Sequence, residues 1–131
     1  MPLPILKIRL AQMKLLEENA KTLFLLDLER YLRDRYANVL EVMGARAADI
    51  ARMGAERAAA YGIVSGYGIR RVTEVMLLLG PRFYDDPRYG WARTVLSALP
   101  EFGEASTVQA LWANTLEEAH ARSAGRASRV L

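Results

Sequence analysis

Cysteine is absent from the 131 residues and histidine occurs once. The first absence excludes disulfides, thiolate nucleophiles and cysteine-ligated zinc or iron–sulfur centres. A metal site needs several ligands on a rigid frame, and the one imidazole, His120, supplies a single nitrogen donor group. Any Ser-His-Asp arrangement would also depend on that residue, and no serine stands in a G-x-S-x-G elbow. No Gly-Lys-Ser/Thr follows the glycines at 62, 66 and 68, so they do not form a phosphate-cradling loop. Long apolar runs are lacking too: Leu23–Leu26 and Val75–Leu79 fall far short of the ~20 residues that cross a bilayer. The opening segment, Met1-Pro2-Leu3-Pro4-Ile5-Leu6-Lys7, lacks a basic stretch followed by a long apolar one. We therefore expect no signal peptide, no membrane span and a cytoplasmic protein.

Acidic residues stop at Glu118, and this absence locates the net charge of +3. Up to that residue the chain carries 15 basic and 15 acidic side chains, so the surplus is Arg122, Arg126 and Arg129 on the tail. A nucleic-acid binder concentrates cations on its folded body, because each phosphate needs its own nearby charge. No such stripe is present, and we expect no specific nucleic-acid partner. An accessory role of the arginine tail on nucleic acid stays open as a third alternative.

What is present is 52% hydrophobic and 25% charged, the composition of one ordinary globular domain able to fold on a single core. The spacing predicts helices throughout. From about Leu6 to Leu40 a stripe runs through Met13, Leu16, Ala20, Phe24, Leu28, Tyr31 and Leu32, with nothing inside to break it. Leu15, Leu23, Leu25 and Leu26 widen the stripe until the middle is apolar nearly all round, which implies cover on several sides, from the same chain or another. A second helix, about Ala45 to Tyr61, shows mostly small inward residues that admit a close neighbour, and Gly62 is placed to end it. The third, about Gly68 to Leu79, has so little polar surface that it is the expected central helix; Gly80-Pro81 stops it. Asp86 and Pro87 are the expected N-cap and first residue of a fourth helix, which shows Trp91, Val95 and Leu99 on one face and ends before Pro100. Ser106-Thr107-Val108-Gln109 has the form of a capping box for a fifth helix running to about Arg122. The fold class is all-α: about five helices in a bundle, one domain over 1–131, with 1–5 and 123–131 as frayed termini.

Four groups of residues invite chemistry. Asp85-Asp86 is the one carboxylate pair that acid–base work might use, but adjacent side chains rarely enter one cleft, and capping by Asp86 with pairing of Asp85 to Arg82 or Arg88 is the expected arrangement. His120 sits where a cation relieves the end of a helix dipole. Trp91, Trp112, Tyr61, Tyr67, Phe83 and Tyr89 fall at core spacing rather than on a base-stacking platform. Arg70-Arg71 opens the most apolar helix, an unfavourable place for positive charge that calls for a partner such as Glu74, Asp85 or Asp86, or an acidic binding partner.

The block Ala58-Ala59-Ala60-Tyr61-Gly62-Ile63, then Val72 to Leu79 with Gly80-Pro81-Arg82-Phe83, then Asp86-Pro87 and Trp91-Ala92, resembles small helical bacterial accessory proteins of type VI secretion and polymorphic-toxin loci. The resemblance covers roughly residues 52–96, with Tyr84 and Gly90 departing from the pattern. It implies a non-enzymatic protein-binding accessory, such as an effector chaperone, adaptor or component delivered and secreted with an effector. The partner would be another bacterial protein, a toxin, effector or spike component, or a second copy in a homodimer. Immunity protein is the alternative role, and a small effector enzyme using Asp85, Asp86 or His120 the more distant one. Partner-binding residues are expected at Leu23, Phe24, Leu26, Arg70, Arg71, Arg82 and Tyr84. Gly62, Gly80, Pro81, Asp86, Pro87 and Trp91 are expected to shape loops and caps. No cofactor and no metal is expected.

Overall fold

Among the described residues every regular element of the computed structural model is helical; it describes the backbone of residues 3–130 and the side chains of residues 9–123. Helix α1 spans Leu3–Met43, α2 Ala47–Ala60 and α3 Gly66–Leu79. Two single 3₁₀ turns, Phe83–Asp85 and Pro87–Tyr89, lead into α4 at Gly90–Ser97; a one-turn helix α5, Leu99–Phe102, precedes α6 at Glu104–Val130. Five of these helices exceed one turn, and the class is all-α. None of the described helices is long and apolar enough to cross a membrane.

The contacts divide the chain into two compact units, Met1–Ala51 and Arg52–Leu131, where the sequence reads as one domain. In the first, α1 is not the unbroken helix its composition suggests: at Tyr36 the backbone leaves helical geometry (φ −125°, ψ 27°). The rings of Tyr31 and Tyr36 meet edge-on at 6.4 Å. Residues five apart lie about 140° around a regular helix, so this contact accompanies the local distortion. After Met43 the chain turns through Gly44, whose φ of +65° suits a residue without Cβ. Its N–H donates to Glu41 O and that of Ala45 to Leu40 O, the paired bonds of a Schellman ending. Among the described side chains, the buried apolar residues of this unit begin at Leu28, followed by Leu32, Leu40, Ala47, Ile50 and Ala51.

The second unit holds one core, in which Val72, Val75, Met76 and Leu79 of α3 pack with Phe83, Tyr89, Ala92, Leu96, Val108 and Leu111. As expected, α3 is the central helix, packed on α6, which also receives α4 and α5. The small residues of α2 do what small residues permit: a Cβ on Gly54 would run into the Thr73 side chain, so α2 and α3 approach to contact there. Gly62 ends α2 as expected, with φ +82°, its N–H donating to Ala59 O and that of Ile63 to Ala58 O. Gly80 (φ +114°) ends α3, and Pro81 follows.

Several boundaries differ from the sequence reading. Pro87 opens a 3₁₀ turn rather than α4 itself, although Asp86 caps that turn by accepting from Arg88 N at 2.9 Å. α4 ends before Pro100 as expected, but already at Ser97, so that Leu99 and Pro100 form the first turn of α5, where the missing proline N–H costs no hydrogen bond. Ser106 lies inside α6 rather than capping it, because the positive φ of Gly103 ends α5 and lets α6 begin at Glu104. At the C-terminal end the backbone stays helical through Val130; Met1, Pro2, Leu131 and the side chains of Arg126 and Arg129 lie outside the described residues.

Candidate functional site

The most conspicuous surface is on α1. All side chains from Arg9 to Leu23 are exposed, although this stretch carries much of the helix's apolar stripe. Leu10, Met13, Leu16 and Leu23 are 58%, 57%, 67% and 62% exposed. At 100° per residue these four, with Ala20 and Phe24, fall on one side of the helix. Of the predicted partner-binding residues, Leu23 and Leu26 are exposed here and Phe24 is half-buried. Leu10 completes the face; the same i, i+3, i+4 spacing, followed one turn further toward the N-terminus, points to it.

The predicted arginine contacts are largely satisfied inside the second unit. Arg71 donates to Glu74 Oε1 at 3.0 Å and to the Tyr67 hydroxyl at 3.1 Å, and its guanidinium lies 4.1 Å from the Trp112 ring. Burial pulls the Arg71 pKa down, but the Tyr67 hydrogen bond and the Glu74 charge outweigh it and leave the group above its ordinary value. Glu74 is itself buried on α3, so Arg71 is the counter-charge that permits a carboxylate in the core. Arg70 is half-buried, with its guanidinium 5.6 Å from the Tyr67 ring. Tyr84 carries Arg57 stacked on its ring at 3.7 Å and accepts from that guanidinium at 2.7 Å. Arg82 is exposed and reaches Asp85 at 3.5 Å. Arg70 and Arg71 thus share Tyr67, while Tyr84 and Arg82 serve separate local contacts.

The carboxylates behave structurally. Asp86 accepts from Arg88 Nη2 at 2.8 Å as well as from its backbone, and these bonds hold its pKa below the ordinary carboxylate range. His120 is exposed on α6. Trp91 donates from Nε1 to Glu118 at 3.3 Å, linking α4 to α6, and Arg122 lies 5.1 Å from the buried Tyr89 ring. Among the described residues no group of three or more His, Asp or Glu side chains is placed to hold a metal ion. A groove of about 400 Å³ between α4, α5 and α6 is lined by Val95, Ala98, Phe102, Thr107 and Ala110 among others, and contains no titratable side chain.

One contact was not foreseen from the sequence. Glu104 Oε1 accepts from the backbone N–H groups of Val64 and Ser65, at 2.6 and 2.9 Å, and so fastens the α2–α3 turn to the start of α6. Its only sequence signal is an acidic residue after a glycine, where a helix begins.

In comparisons with known proteins, no family model, no curated protein and no solved structure matches the chain. The functional reading therefore rests on the surfaces themselves.

Proposed function

We propose that the chain is a non-enzymatic, helical protein-binding accessory whose binding element is the exposed face of α1. Its setting is the one the sequence resemblance implies, a bacterial secretion or toxin system in which it serves as effector chaperone, adaptor or co-delivered component. The observation that carries the reading is the apolar face at Leu10, Met13, Leu16 and Leu23, each more than half exposed. Contiguous apolar surface of this kind marks interaction sites, because water gains by its removal. An isolated helix in water is also marginally stable and draws its stability from packing. The arginines that the sequence nominated for an acidic partner make contacts inside the second unit, Arg71 most completely, whereas the apolar face of α1 is bare among the described residues.

The test is capture of the purified product of a neighbouring gene by the full chain and by Leu16→Asp. Binding by the former and loss in the latter, with the helical content unchanged by circular dichroism, supports the reading. A chain that binds neither a neighbour's product nor itself through α1 overturns it. Protection of cells from a co-encoded toxin, abolished by the same substitution, would assign the immunity role among protein-binding functions.

A further inference from the structure

The occupant of the α1 face can be argued from its order of residues. Arg9, Met13, Leu16, Ala20, Leu23 and Asp27 follow one another in steps of four, three, four, three and four. That is the spacing of the inward positions of a coiled coil, and it confines the six to a strip about 80° wide. All six side chains are exposed. The strip is apolar in its middle, cationic at one end and anionic at the other.

The geometry points to a second copy of this chain as the occupant, lying antiparallel on α1 about a two-fold axis beside Glu18. The inference rests on α1 being the interaction element proposed above, and adds what covers it. In this register Arg9 of one copy faces Asp27 of the other, Met13 faces Leu23, and Leu16 faces Ala20; symmetry repeats each pair. Opposite charges meet at both ends. Each Leu16 lies over an Ala20, so large meets small in the two central layers and their thickness is even. On the flanks Leu10 comes beside Phe24 of the other copy, and Leu26 beside Gln12. The pairing thereby covers Leu10, Met13, Leu16, Leu23 and Leu26, five of the seven exposed large apolar residues among the described side chains of the helix, and leaves Leu15 and the distant Val42 outside.

A parallel pair is the alternative for identical helices, and the charges oppose it. Arg9 would face Arg9 and Asp27 would face Asp27, while Ala20 against Ala20 would leave a void beside the bulky Leu16 layer. Exposed ion pairs add little strength, so the Arg9–Asp27 contacts choose orientation more than they set affinity. One contact opposes the antiparallel register: Glu17 approaches Glu17 of the second copy across the axis. The paired stretch, Arg9 to Asp27, is about 27 Å long, under three heptads. Association is therefore modest and follows concentration.

Sedimentation equilibrium of the full chain across a concentration series reads the association directly; the expected species has twice the 14.7 kDa of one chain. Charge reversal tests the register. Arg9→Asp alone and Asp27→Arg alone should each weaken association about tenfold, and the double reversal should restore it. A parallel dimer would respond to neither single change, since it exchanges one like-charged layer for another. Because the chain has no cysteine, engineered thiols report the layers without background. Met13→Cys mixed with Leu23→Cys should crosslink on mild oxidation, whereas each alone should not. All four residues are exposed, and circular dichroism checks that the variants fold. Crosslinking of each single variant with itself overturns the antiparallel register. A monomer at every concentration that still captures a neighbouring gene product through α1 overturns the pairing and keeps the proposed function. A monomer with no α1-dependent capture overturns both.

Discussion

Residues 9–23 of α1 and residues 68–79 of α3 are both rich in large apolar side chains, yet every side chain of the first is exposed and most of the second are buried. In α3, Val72, Val75, Met76 and Leu79 meet residues from the 3₁₀ turns, α4 and α6, so their burial is local to one unit. In residues 9–23 of α1 the same kind of residue has no such cover. The difference teaches that an apolar helix is a demand for a neighbour, and that the same demand is met within the fold in one region and offered outward in the other.

Truncation gives the largest contrast. Met76→Ala, in the core, should cost about 2–5 kcal/mol of unfolding free energy, through lost burial and the cavity left behind. Leu16→Ala should move the same transition by less than about 0.5 kcal/mol. Urea unfolding followed by far-UV circular dichroism, which reports the helices of both units, measures each. Equal effects would break the comparison. The α2–α3 contact sharpens it at intermediate size. Gly54→Ala drives a methyl group into Thr73 and should cost about 1–3 kcal/mol by the same assay. A smaller effect than either core substitution has the opposite sign. The buried hydroxyl of Tyr89 has no hydrogen-bond partner among the described residues. Tyr89→Phe removes that unsatisfied group at constant ring volume and should raise stability by about 1 kcal/mol, seen as a higher thermal midpoint.

Helix caps and the identity of the central helix were legible in the sequence, because each depends on residues close together in the chain. Gly62 and Gly80 end helices where only a residue without Cβ is comfortable, and Asp86 caps the turn that Pro87 opens. Arg71 was legible to the extent that a charge at the start of an apolar helix required a partner, and Glu74 is that partner. The distortion at Tyr36 was not legible, since neither proline nor glycine marks it. Nor was the Glu104 clamp, which joins residues forty positions apart. The capping-box pattern at Ser106 misplaced the start of α6 because Gly103, just ahead of it, takes a positive φ and sets the boundary earlier.

Of the proposed interaction surface, the sequence determined the residues and their order: a helical stripe, widened at Leu23–Leu26, with arginine at one end and aspartate at the other. Periodicity settles that much, because the helix itself fixes which side chains share a face. Which stripe would be buried and which left bare was decided by tertiary structure alone, since burial depends on what packs against a face, and residues distant in the chain provide that in α3 and not at residues 9–23 of α1.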